Sequence, residues 1–227
     1  MKLLALDTAT EACSAALLVD GELRETSRVE PRGHARLLLA MIETLLAEAG
    51  LSPGQLDGLA FGRGPGSFTG LRIAAGVAQG IAFAADLPVL PVSTLATLAQ
   101  GARDAALEGV LAAIDARMQE VYWGVYRSGA EGLVELEGEE RVCAPAAVTV
   151  PAGGRWRGAG TGWGSYGEAL AARCAGLQLV AVEPGALPHA RDMLPLAAAA
   201  LRVGGGLPAE QAQPVYLRNN VADRPRS

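Results

Sequence analysis

Short apolar runs separated by polar turns open the chain. Leu3 to Leu6 suits a buried strand, Cys13 to Val19 is a second run, and Asp20-Gly21 makes a hairpin turn into a third at Leu23 to Val29. The spacing predicts a three-strand meander. From Gly33 to Ala49 the apolar positions change to a helical period, and Gly50 stands where a C-cap belongs. Leu56 to Phe61 then reads as a strand and Ser67 to Ala85 as a second helix. Leu87 to Val92 follows as another strand, and Ser93 to Ala106 as a third helix.

The opening pattern then recurs. Leu4 to Gly21 lies over Ala112 to Gly129 without a gap, aligning Asp7 with Asp115 and Gly21 with Gly129, and both segments predict strand, acidic turn, strand, glycine hairpin, strand. Two related lobes follow, residues 1–105 and a smaller second lobe at 106–227, with Gly101 and Gly109 flanking the boundary. In the second half Val142 to Val150 is strand-like, and Pro151 to Gly164 reads as a glycine-rich loop holding Trp156 and Trp163. Arg191 to Val203 is an alanine-rich helix. Pro214 to Arg218 has the texture of a docking segment, and Ala222 to Ser227 is expected to be disordered.

Glycines crowd the junction between the fourth strand and second helix. Gly62, Gly64 and Gly66 allow backbone angles closed to other residues, Pro65 stiffens the segment, and Ser67 or Thr69 can cap the helix. Such a loop either cradles an anion or a partner's backbone, or is simply a tight turn. It is not a nucleotide P-loop, because that motif needs a lysine and the only lysine is Lys2. Both helices are apolar over more than one stripe. Leu37, Leu38, Leu39, Met41, Ile42, Leu45 and Leu46 exceed the ~100° that one core requires. Gly76, Gly80 and Ala84 permit close approach on the second helix, with Leu71, Ile73, Val77, Ile81 and Phe83 around them. The helices are either sandwiched within their own domain or carry an interface.

Composition removes several function classes. Half of the 227 residues are hydrophobic, which excludes a disordered chain. With a net charge of −5, one lysine beside 18 arginines and no basic run, the chain lacks the footprint of an independent nucleic-acid binder. Any RNA contact would be shared with a partner. Cys13, Cys143 and Cys174 are odd in number and widely spaced, as expected of reduced thiols in the cytoplasm. Asp7 and Glu11 interrupt the first apolar run too early for a signal peptide. Phe68 to Ala85, with Arg72 and Gln79 inside it, is expected to fall short of a membrane span.

Asp7 ends a strand before Thr8 and Thr10, and Asp115 occupies the same place in the second lobe. Two carboxylates facing one cleft would suit a magnesium nucleotide, but such loops need glycine for close approach of phosphate, and Ala9 and Arg117 stand there instead. A vestigial or structural role is expected. His34 finds Leu38 where a metal pair needs a second histidine, so no metal site is expected. His189 reads as a surface residue in a loop, and no local motif assembles a catalytic triad.

Five segments in order, LALDTATEACSAALLVDGE, HARLLLAMIETLLAEAGL, GRGPGSFTGLRIAAGVAQG, IDARMQEVYWGVY and PVYLRNNVA, resemble the TsaB (YeaZ) family of tRNA threonylcarbamoyladenosine biosynthesis subunits. The resemblance spans nearly the whole chain and implies an α/β fold of the actin/Hsp70/sugar-kinase-like (ASKHA) type, two lobes of mixed sheets with flanking helices. It implies a non-catalytic cytoplasmic paralogue that binds and stabilises TsaD, which transfers threonylcarbamoyl to N6 of adenosine 37 in tRNAs reading codons that begin with A. TsaE joins the complex, tRNA is met only through it, and the chain alone is a homodimer. No intrinsic cofactor is implied, and a nucleotide at the interface with a partner stays open.

On this chain the degenerate phosphate-loop positions are Asp7, Thr8, Thr10 and Asp115. The implied interface comprises His34, Leu37, Leu38, Met41 and Leu45 on the first helix and Arg72, Ile73, Val77, Gly80 and Ile81 on the second. The alternative of another class is an active ASKHA phosphotransferase or glycoprotease-like hydrolase.

Overall fold

In the computed structural model, which describes residues 1–30 and 33–218, the opening meander forms as read. Strands β1 (Lys2–Asp7), β2 (Ala12–Val19) and β3 (Glu22–Val29) pair antiparallel, with Asp20 and Gly21 at positive φ in the hairpin. Helix α1 (His34–Ala49) ends at Gly50, whose φ of 64° makes the left-handed C-cap. Strand β4 (Gly58–Gly64) runs parallel to β1, α2 (Phe68–Ala85) crosses back, and β5 (Val89–Ser93) adds to β4. The sheet order is β3-β2-β1-β4-β5.

The second sheet repeats this plan. It comprises β6 (Gly109–Asp115), β7 (Val121–Ser128), β8 (Val134–Cys143), β9 (Arg155–Ala159) and β10 (Gln178–Glu183), ordered β8-β7-β6-β9-β10. Helix α4 (Thr161–Arg173) follows β9 as α2 follows β4, whereas a single short turn at Pro145–Ala147 stands where the first lobe has α1.

Period-two alternation in β1 and β4 feeds two layers. Leu4, Leu6, Leu59 and Phe61 face α1 and α2, while Leu3, Ala5 and Ala60 face α5 (Ala190–Arg202). Helix α5 follows β10 in the chain yet packs Ala190, Met193, Leu194 and Ala197 on the first sheet. Conversely, α3 (Thr94–Gly101) follows β5 and packs Leu95 and Leu98 against Val110, Ala112 and Tyr126 of the second. A cut at 105/106 separates the sheets but not their helices, since each lobe's core is completed by a helix from the other half.

The second half departs most from the sequence reading. The stretch read as a glycine loop contains β9 and the start of α4, because its glycines serve close packing. A Cβ on Gly158 would lie 2.6 Å from the Trp163 ring, and one on Gly162 would lie 2.8 Å from Ala113. Trp156 and Trp163 are core residues whose indole N–H groups donate to the carbonyls of Gly153 and Leu111. The strand expected to reach Val150 stops at Cys143, where the chain turns into Pro145, and α3 ends at Gly101 rather than Ala106. The tail from Ala222 to Ser227 lies outside the described residues.

Candidate functional site

Asp7 is fully buried and does not face the cleft. Its Oδ1 accepts the amide of Ala9 at 2.9 Å, its Oδ2 has no partner, and burial pushes its pKa up to about 7. Thr8 is buried too, its hydroxyl donating to the Gly70 carbonyl at 2.7 Å. Only Thr10 and Asp115 of the four degenerate-loop positions line the cleft of about 750 Å³ between the lobes. Asp115 is held by its own lobe: Arg117 donates to it from its backbone amide at 2.8 Å and its guanidinium at 3.2 Å, and Ser165 and Tyr166 donate their hydroxyls. Of the two aspartates only Asp115 faces the cleft, because the turn after β1 folds inward over Asp7.

The turn after β6 carries a feature the sequence did not show. Arg117, Met118 and Gln119 have φ of 61°, 54° and 60°, three successive non-glycine residues in the left-handed region. Each costs on the order of 1 kcal/mol, so other contacts must hold the turn.

The glycine segment is also rearranged. Gly62 and Gly64 belong to β4, and of the three glycines only Gly64 has a positive φ, 107°. Gly62 is small because Asp7 Oδ2 would lie 2.1 Å from its Cβ, Gly66 because the Ala9 carbonyl would lie 2.4 Å away, and Gly70 because the Thr8 carbonyl would lie 1.9 Å away. Ser67 caps α2 through the Gly70 amide, while Thr69 is an exposed residue inside the helix. The Ser67 amide donates to the Ala9 carbonyl at 2.7 Å and the Gly70 amide to the Ser67 hydroxyl, which ties the start of α2 to the turn after β1. Gly66→Ala should therefore lower stability by about 1–3 kcal/mol without any ligand, through contact with Ala9 rather than through backbone angle. A denaturant melt of the purified variant checks this, and unchanged stability would remove the scaffold role.

The helix faces separate exposed from buried positions. On α1 the inward residues are Leu38, Met41, Ile42, Leu45 and Leu46. Leu38, Met41 and Leu45, expected at a partner interface, are therefore core residues, because helical period places them over the first sheet. His34 and Leu37 are half-buried, and Leu39 is exposed. On α2, Leu71, Ala74, Ala75, Ala78 and Ala82 face inward. Arg72, Gly76, Gly80 and Phe83 are exposed, with Ile73, Val77 and Ile81 half-buried beside them. Phe83, 81% exposed, stands outside the implied interface positions; its apolar neighbours on all sides hid which way it points.

Helix α2 is long and apolar enough to cross a membrane by length and composition alone, at a mean hydropathy of 1.3, yet it packs Leu71, Ala74, Ala75, Ala78 and Ala82 inside the protein. Among the described residues nothing covers Phe83, Gly76 or Gly80 on its outer side. A groove of about 470 Å³ lies along it, lined by Gly76, Gly80, Phe83 and Ala209 among others.

His189 is half-buried at the N-cap position of α5, with Nδ1 3.5 Å from Glu25 Oε1, and the nearby carboxylate raises its pKa. Among the described residues no group of three His, Cys, Asp or Glu is placed to hold a metal ion.

Two sheets of one strand order, related by the internal repeat and separated by a cleft, define an ASKHA-like two-lobed α/β protein. The family model described as TsaD: tRNA N6-adenosine threonylcarbamoyltransferase matches residues 28–225. The chain is 46% identical over 226 residues to the Escherichia coli tRNA threonylcarbamoyladenosine biosynthesis protein TsaB, covering 98% of this chain and 96% of that one. The Haemophilus influenzae TsaB is 43% identical, with 97% and 95% covered. Among solved structures, YeaZ from Pseudomonas aeruginosa superposes with a TM-score of 0.87 at 53% identity, over 95% of this chain and 99% of that chain. The chain belongs to the TsaB (YeaZ) family.

Proposed function

We propose that this chain is a non-catalytic subunit that binds and stabilises TsaD in the complex that installs threonylcarbamoyl on N6 of adenosine 37 of tRNA. The observation that carries the reading is the uncovered apolar face of α2, where Gly76 and Gly80 leave open space at the helix surface. A partner helix can approach such a face closely, and Ile73, Val77, Ile81 and Phe83 supply the apolar area around the contact. The same surface would pair two copies when TsaD is missing, and TsaE would join the assembled complex. The family's tRNA chemistry supports this assignment, as does a net charge of −5, which suits a subunit that meets RNA through a partner.

The phosphotransferase alternative is disfavoured by Asp7, which burial holds away from the cleft, and by Arg117, whose side chain occupies Asp115. The purified chain should neither hydrolyse ATP nor modify tRNA by itself. Mixing it with TsaD, TsaE, tRNA and the small substrates should give modified tRNA, and leaving it out should remove most of the product. Robust turnover by the isolated chain would overturn the reading.

A further inference from the structure

We propose that Pro214–Arg218 is a strap that holds the two lobes at their angle across the cleft and keeps the left-handed turn at Arg117–Gln119 in place. This goes beyond the partner-binding reading and does not depend on it. The strap begins on the first lobe, where the Val215 amide donates to the Arg63 carbonyl at 2.7 Å and Gln79 donates to the Ala212 carbonyl at 2.9 Å. It runs so close to β4 that a Cβ on Gly64 would lie 2.7 Å from the Val215 carbonyl oxygen. Tyr216 stacks against Phe68 with ring centroids 5.4 Å apart, and its hydroxyl accepts from Arg72 Nε at 3.2 Å. Arg72 in turn covers the Phe68 ring at 3.9 Å, so an aromatic residue and a cation of α2 grip the strap together.

Two residues on, the strap has crossed to the second lobe. Arg218 is ion-paired with Glu120 and lies 3.6 Å from the Met118 sulfur, with its side chain only 17% exposed. Its two partners flank or belong to the strained turn, whose other described contacts stay within its own lobe: the Ala116 amide donates to the Glu120 carbonyl, the Glu120 amide donates to the Arg117 carbonyl, and Arg117 donates to Asp115. A strained segment persists only where surrounding contacts over-determine it, and the strap supplies the contact from outside the lobe. Val215, Tyr216, Leu217 and Arg218 line the cleft, so the strap fills part of the space between the lobes, and its release would widen the opening.

Hydrogen exchange of the full chain tests this. Arg218→Ala removes the second-lobe anchor and should speed exchange of the amides at residues 116–120 about tenfold. Tyr216→Ala alters only the first-lobe anchor and should speed the same amides, while those of α5 stay protected in both variants. If Tyr216→Ala leaves residues 116–120 unchanged, Arg218 makes a local ion pair and the strap proposal fails. Combining Arg218→Glu with Glu120→Arg should restore protection that Arg218→Glu alone removes, and a double variant as fast as the single would also overturn it.

Discussion

Gly80→Arg leaves the chain folded, or slightly more stable, and abolishes both self-association and TsaD binding. The two effects have opposite signs because of where Gly80 sits. A Cβ there meets nothing within 4 Å and the helix backbone is regular, so replacing glycine in a helix interior gains up to about 1 kcal/mol from reduced chain entropy. On the outer face the same side chain fills the space a partner helix needs and places a charge in an apolar contact. Burying an unpaired charge costs several kcal/mol, enough to move a micromolar complex beyond the millimolar range. Thermal melts together with sedimentation and co-purification measure both signs. Leu38→Glu is the contrasting control: Leu38 is 0% exposed, so that variant should lose the fold itself. A folded Gly80→Arg chain that still captures TsaD would place the interface elsewhere.

Asp7→Asn raises the melting temperature at pH 8 and leaves it nearly unchanged at pH 4. The folded-state pKa of Asp7 is raised from 3.8 to about 7, chiefly because burial disfavours the carboxylate. The folded chain therefore holds the proton more tightly than the unfolded chain. The stability this confers is fully present below pH 3.8 and is lost as the pH rises through about 7. At 1.36 kcal/mol per pKa unit the loss approaches about 4 kcal/mol, an upper figure. Asparagine keeps the acceptor for the Ala9 amide and never ionises, so its advantage appears only where aspartate would be charged. Melts between pH 4 and 8 read the difference, and a variant that is equally less stable at both ends would contradict the burial argument.

The two lobes differ in how much of them the sequence disclosed. In the first lobe, apolar runs are bounded by Asp20-Gly21 and Gly50, residues whose backbone angles are the turn and cap themselves, so β1 to α1 could be read directly. In the second lobe, Gly158, Gly160 and Gly162 serve contacts with Trp163 and Ala113, and glycines placed for contact look like glycines placed for turns. That hid β9 and α4. The candidate site shows the same divide. The apolar surplus on α2 was legible as composition, but the assignment of Leu38, Met41 and Leu45 inward and of Phe83 outward depends on the direction of the sheet beneath them. The inward burial of Asp7 depends on Gly62 and Gly66, which only the folded chain brings to the turn between β1 and β2.

The exchange of α3 and α5 sets the order in which this chain can mature on a ribosome. The first five strands emerge early, yet the face built from Leu3, Ala5, Ala60 and Leu90 stays bare until Met193, Leu194 and Ala197 have been synthesised. Helix α3, already out, waits in the same way for Val110 and Ala112. Neither half of the duplicated chain completes its cores by itself, and the outer face of the first sheet waits longest, because its cover is α5 while the buried residues of the α3 core end at Ala159. A duplication that began as two copies of one fold has thereby become a single unit of folding.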